Sequence, residues 1–187
     1  MDQNQALLVM DFQPAVLAAV GGDDAPALGA AVRAAKAARA AGLPVVFVRV
    51  AFRPGYPEVN PANKGFAALA QYGDIFDEEG PATIVHPALE RARSEPLITK
   101  RRVSPFAGSD LGALLGGLGA DHLVLAGVVT SGVVLSTLRH ASDADYRLTV
   151  LSDACADPDD EVHDVLMRKL FPQHADVTTV DAWVAGL

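Results

Sequence analysis

Asp11, Lys100 and the stretch Gly127-Val128-Val129-Thr130-Ser131-Gly132 each follow closely on a short apolar run. Those runs are Ala6–Met10, Pro96–Thr99 and Leu123–Ala126, and they have the composition of buried strands. An acid, an ammonium and the amides opening a helix, brought to one sheet edge, are the parts of a polar reaction site. The acid can give or take a proton, the ammonium can steady negative charge, and helix-opening amides can hold an oxyanion. Two further strand ends carry polar groups: Val45–Val50 runs into Phe52-Arg53, and Leu148–Leu151 into Ser152-Asp153. Asp11 and Lys100 also have a plain structural use. A strand-end aspartate often closes a turn, and a lysine followed by Arg101 and Arg102 can be solvated. Of the two arginines, one is expected to face in and one out, because neighbouring strand side chains alternate.

Other chemistries fail on spacing. No G-x-G-x-x-G opens a helix, since Gly116, Gly117 and Gly119 precede a strand, and neither a phosphate-binding G-x-x-x-x-G-K-[ST] run nor a G-x-S-x-G elbow is present. The five histidines (His86, His122, His140, His163, His174) form no H-E-x-x-H or D-x-H pair, so no metal is expected. Cys155 is the only thiol and reads as a small buried hydrophobe. Ser131 and Ser136 have no histidine placed by the sequence to activate them.

The elements that must position these groups alternate along the chain. Strand-type runs at 6–10, 45–50, 96–99, 123–126, 148–151 and 177–180 are separated by helical stretches. Pro26–Ala41 is alanine-rich and stops at Gly42 with Pro44 beyond; Ser109 can cap a helix over 110–118. Thr130 can cap one to about Ala144, and Asp159–Leu170 ends before Pro172. Strand and helix in this order give crossover units and a mostly parallel sheet, so the chain is expected to form one α/β domain over 1–187. The strands are continuous apolar runs, as helices on both faces require. Ala51–Phe66 departs from the pattern, with prolines at 54, 57 and 61 stiffening a loop of unusual length. It can be a surface excursion, a subunit contact or a substrate loop carrying Arg53 and Tyr56.

The chain has 187 residues, 50% of them hydrophobic, enough for a substantial core. Fifteen Lys+Arg against 23 Asp+Glu give a net charge of −8, a field that disfavours nucleic acid and anionic membrane. The polar start, Met1 to Gln5, and the early Asp11 do not read as a leader or a span. One cysteine fits a reducing compartment, so a cytoplasmic location is expected.

LLVMDFQ at 7–13, K-x-R-x-S-x-F at 100–106, AGVVTSGVVLSTLRHASDADYRLTVLSDACAD at 126–157 and HDVLMRKLFPQHADVTTV at 163–180 together resemble the isochorismatase-like hydrolase superfamily. The resemblance covers nearly the whole chain. It implies a three-layer α/β/α, Rossmann-like domain with a six-stranded, mostly parallel sheet. Cysteine hydrolases of this superfamily, nicotinamidases among them, use an Asp–Lys–Cys triad. Asp11 matches the aspartate and Lys100 the lysine. The family cysteine lies in G-V-x-T-x-x-C-V, where this chain has Val133. Valine has no lone pair, so a covalent route is closed there. The resemblance further implies a cis peptide between Val128 and Val129, and oxyanion-holding amides at Val129 and Val133. Substrate contacts are expected from Gln13, Phe52, Arg53, Tyr56, Phe106, Thr130 and Ser131. Where nicotinamidases can carry zinc on an Asp-x-His pair, this chain reads Val50-Ala51-Phe52-Arg53, so neither metal nor other cofactor is expected. Family members commonly form dimers or larger closed assemblies.

True isochorismatases cleave an enol ether and lack the thiol: the aspartate protonates the vinyl carbon, and water captures the resulting cation. The expected function is therefore a non-covalent small-molecule hydrolase, with Asp11 as general acid/base and Lys100 in an electrostatic role. Its substrate is expected to be small and, if Arg53 reaches the site, anionic. Asp11 must hold a proton for this chemistry, and burial and Lys100 pull its pKa in opposite directions. The alternative is a catalytically silent member that binds a small ligand or a protein partner.

Overall fold

A computed structural model describes residues 4–187; the first three positions of the polar start lie outside the described residues. Strand β1 (Gln5–Met10) leads through a one-turn helix α1 (Pro14–Leu17) to the long helix α2 (Pro26–Ala40) and strand β2 (Val45–Val50). Then follow α3 (Lys64–Leu69), β3 (Leu97–Lys100), α4 (Leu111–Leu118), β4 (His122–Val128) and α5 (Leu135–Asp143). The chain ends with β5 (Arg147–Ala156), α6 (Asp160–Val165), β6 (Asp176–Thr178) and α7 (Val180–Val184). The six strands form one sheet in the order β3-β2-β1-β4-β5-β6, with every pairing parallel.

Apolar side chains alternate across the sheet and fill both faces. Leu7, Val9 and Phe47 pack with α2 and Trp183 of α7, while Leu8, Met10, Val46 and Val48 pack with Leu111, Leu115, Val134 and Leu138. Helix α2 buries Ala27, Ala30, Ala31, Ala34, Ala35 and Ala38, a stripe of small side chains that lets it lie close on the strands. Pro26 sits in its first turn and Gly42, at φ +73°, just after its end.

Three elements differ from the sequence expectation. Val180 does not end a strand; Thr179 accepts a hydrogen bond from the Ala182 amide and starts α7 instead. Strand β5 runs on to Ala156, because the β4–β5 register jumps from Leu125↔Val150 to Gly127↔Cys155. The helix expected from Thr130 opens with a wide π-type turn over 130–134 before α5 proper. The proline-stiffened loop is ordered by an aromatic cluster of Phe52, Tyr56, Phe66 and Phe76. The Tyr56 hydroxyl donates to the Gly73 carbonyl and accepts from the Phe76 amide, tying the loop to the short helical turns after α3.

Candidate active site

Strand order reverses between β1 and β4, whose first connections run to opposite sides of the sheet, and a crevice opens at their carboxyl ends. Asp11 is the first residue past β1, in register beyond the Met10↔Gly127 pair. Its φ of +59° is a left-handed conformation that aspartate tolerates better than most side chains. The Asp11 amide donates to the Val48 carbonyl of β2 at 2.9 Å, which fixes the turn to the neighbouring strand. Gln13 completes the fastening. Its side chain donates to the carbonyls of Val50 and Thr83 and accepts from the Val50 amide, all fully buried.

Lys100 ends β3 and extends across the end of β2. Its Nζ lies 2.9 Å from Asp11 Oδ2 and donates to the Arg102 carbonyl at 3.3 Å. Both residues are almost wholly buried, at 4% and 3% exposure. The other carboxylate oxygen, Asp11 Oδ1, has no hydrogen-bond partner among the described residues. Burial raises the Asp11 pKa above the ordinary 3.8 and outweighs the lowering by the charge and hydrogen bond of Lys100.

The third part comes from β4. The Val128–Val129 peptide is cis, as the resemblance implied. Gly127 is closely packed: a Cβ there would lie 3.1 Å from Met10 Cβ and from a Val134 methyl, so those neighbours would have to give by a few tenths of an ångström. The missing Cβ lets the 130–134 turn settle against β1. The Ser131 amide donates to Asp157 at 2.7 Å, and the Thr130 hydroxyl meets His163 Nδ1 at 2.9 Å. Burial lowers the His163 pKa, against the opposing pull of Asp157 and Asp160.

A cavity of about 570 Å³ joins these pieces. Asp11, Lys100, Val129 and Val133 all line it, so four of the residues singled out in the sequence meet in one place. The others are positioned differently. Gln13 and Phe52 are fully buried structural residues, and Tyr56 is engaged with Gly73 and Phe76. Phe106 stacks on His140 with ring centroids 4.5 Å apart. Thr130 turns to His163, and Ser131 is held through its backbone. None of these side chains lines the cavity. Arg53 does not reach over the Asp11–Lys100 edge. It pairs with Glu58 beside a separate polar groove that also holds Arg101 and Arg102. Arg101 is bound to Glu58, Glu78 and the Ala51 carbonyl, so neither of the paired arginines turns into the cavity. Phe66, Leu69, Tyr72, Ile75 and Phe76 build the far wall instead. The sequence signal for them was the three-residue spacing of 66, 69, 72 and 75, an apolar face within the stretch that follows the proline loop.

Cys155 lies outside the cavity, on β5 with its side chain in the core, where burial pushes its thiol pKa up to about 12. Among the described residues, no three His, Cys, Asp or Glu side chains gather where they could share a metal ion. No described helix is long and apolar enough to cross a membrane.

Residues 5–182 match the isochorismatase domain model. The chain belongs to the isochorismatase family. It is 32% identical over 185 residues to the uncharacterized isochorismatase family protein YecD of Escherichia coli O157:H7, covering 94% of this chain and 92% of that protein. It is 30% identical over 169 residues to the ureidoacrylate amidohydrolase RutB of Pseudomonas savastanoi pv. phaseolicola, covering 80% of this chain and 69% of that one. Among solved structures, an isochorismatase family protein from Burkholderia thailandensis superposes with a TM-score of 0.84 at 25% identity, covering 100% of this chain and 97% of the other. The three-layer fold with its six-stranded parallel sheet is that of the family.

Proposed function

We propose that this chain, acting as one isochorismatase-like domain, hydrolyses a small molecule without a cysteine nucleophile. The observation that carries the reading is the buried Asp11–Lys100 pair, with Asp11 Oδ1 unpartnered among the described residues and Val133 beside it in the cavity. Lys100 holds Oδ2, which leaves Oδ1 as the atom able to exchange a proton with a ligand. A carboxyl with a raised pKa can remain protonated closer to neutral pH. For an enol ether, Asp11 gives that proton to the vinyl carbon. Water then adds to the oxocarbenium ion, the hemiketal breaks to ketone and alcohol, and a proton returns to Asp11. No covalent adduct with the chain forms in this sequence. The reading places the protein in the cytoplasm and as a homodimer or larger homo-oligomer, which sedimentation at micromolar concentration tests.

The test is turnover of a panel of vinyl ethers and primary amides by the wild type and by Asp11→Asn. Vinyl ether cleavage that falls at least about a hundredfold in a folded Asp11→Asn protein supports the acid role. Should the stranded Lys100 charge unfold that variant, Asp11→Asn with Lys100→Met removes both charges and serves in its place. Amide hydrolysis abolished by a thiol reagent overturns the reading. A second reading is favoured by one observation: no cysteine, serine or threonine lines the cavity among the described residues. On that reading the chain binds a ligand and leaves it intact, which retained binding with no turnover in either series would establish.

A further inference from the structure

We infer that the groove beside the end of β3 is a second binding site, built for the phosphoryl group of a small molecule. It is separate from the Asp11 cavity, since Lys100 lines the cavity while Thr99 and Arg101 line the groove. The groove holds about 1090 Å³ between the proline loop, the end of β3 and the turn that opens α4. Glu58 organises it. One of its carboxylate oxygens takes Arg53 Nη1 and Arg101 Nε, and the other accepts from the Arg53 amide at 3.3 Å. Its backbone carbonyl accepts from Arg102 Nη1 at 3.3 Å.

These anchors use one corner of each of two guanidiniums. Arg53 and Arg102 are both fastened through Nη1, and Nε and Nη2 of both have no hydrogen-bond partner among the described residues. Those two nitrogens form the side edge of the guanidinium, which offers paired N–H bonds to an oxyanion. A planar carboxylate satisfies one such edge. A phosphoryl group carries three acceptor oxygens in a tetrahedral fan and can satisfy two edges arriving from different walls. Arg101 has another part: its three nitrogens are spent on Glu58, Glu78 and the Ala51 carbonyl, so it stiffens the wall. Arg102 bonds only to carbonyls, which leaves its charge without a paired carboxylate among the described residues. Asp110, exposed at the start of α4, is the opposing charge on the groove wall. Pro57 and Pro61 line the groove and stiffen it, so little freedom remains to be lost on binding. The net charge of −8 repels a long polyanion, whereas a small ligand feels mainly the charges close around it.

Calorimetric titration of the full chain with inorganic pyrophosphate at neutral pH and low ionic strength is the test, with malonate and an oligothymidylate as comparisons. Saturable binding of pyrophosphate is expected, about tenfold or more tighter than malonate. Arg102→Gln and Arg53→Gln should each weaken it about tenfold. Arg102→Lys should lose nearly as much, because an ammonium keeps the charge and gives up the paired edge. Asp110→Asn should tighten binding several-fold by removing the opposing charge. Arg168→Gln, off the groove and paired with Asp164 of α6, should leave it unchanged. No saturable binding, malonate or the oligothymidylate binding as tightly as pyrophosphate, or full affinity in Arg102→Lys would each overturn the inference. So would equal losses in Arg102→Gln and Arg168→Gln. The readout is binding at the groove, so its outcome is independent of turnover at Asp11.

Discussion

Lys100 and Arg101 are neighbours in sequence and belong to two different regions. Lys100 ends in a largely apolar-walled cavity with one carboxylate for company. Arg101 ends in a groove, sharing Glu58 with Arg53 and taking Glu78 as well, with its side chain 21% exposed. Both make ion pairs, yet their physical consequences differ. In the cavity a charge has few partners and little solvent, so removing one group strands the other. In the groove water and several counter-charges share the load, and each contact is worth less. The comparison teaches that ion pairing alone does not mark a reactive site. Low solvent access together with an unpartnered oxygen among the described residues is what sets the Asp11–Lys100 pair apart from the groove.

The largest effect expected is from breaking the cavity pair. Lys100→Met should cost about 3–5 kcal/mol in denaturant unfolding at neutral pH, as for a buried pair that loses one partner. The loss should depend on pH with a definite sign. The folded pKa of Asp11 lies above 3.8, so its contribution to stability is fully present below that value and is lost as pH rises through the folded pKa. Lys100→Met removes the group that lowers this pKa and moves it further up. The deficit against wild type should then widen as pH rises through the wild-type folded pKa of Asp11, where the variant still holds its proton; a deficit constant with pH would show that Asp11 is not the titrating group.

Next in size is the contrast between two thiol positions. Val133→Cys should put a thiol on the cavity wall, beside Lys100, where alkylation by iodoacetamide is expected to exceed that of Cys155 by about tenfold or more. Cys155 is buried with its pKa pushed to about 12, so Cys155→Ser should leave turnover unchanged. Equal labelling of the two positions would place Val133 away from the accessible cavity, and loss of turnover in a folded Cys155→Ser protein would break the non-thiol route.

Smaller effects belong to the groove. Arg101→Met should cost about 1–3 kcal/mol in thermal or denaturant unfolding, since a half-buried guanidinium bridges Glu58, Glu78 and the Ala51 carbonyl. Arg53→Ala, whose side chain is 60% exposed, should cost less than about 1 kcal/mol and leave affinity for cavity ligands unchanged. Should Arg53→Ala weaken a cavity ligand in calorimetry, the separation of groove from cavity would be wrong and an anion clamp would return.

Much of this molecule was written in local patterns. The apolar runs beginning at Ala6, Val45 and Leu123, the proline and glycine bounding α2, and the alternation of strand and helix dictate a parallel sheet because burial and chain reversal leave few other solutions. The chemistry-bearing positions Asp11 and Lys100 were visible as polar residues closing apolar runs, and Val133 by its place in the family pattern. Which of them meet was a tertiary decision. Asp11 and Lys100 are 89 positions apart in number, and only the order β3-β2-β1-β4 brings both to the switch point. The direction of a long side chain was not legible either. Arg53 could have swung to the cavity, and the competing Glu58, five residues on, holds it at the groove. The apolar wall at 66–76 depends on an aromatic cluster that folds the proline loop back onto α3, an arrangement set by packing among distant residues. Local sequence determines which segments are strands and helices, because backbone and burial preferences act over a few residues. The environment of a charge is decided by everything packed around it, and that exists only once the chain has folded.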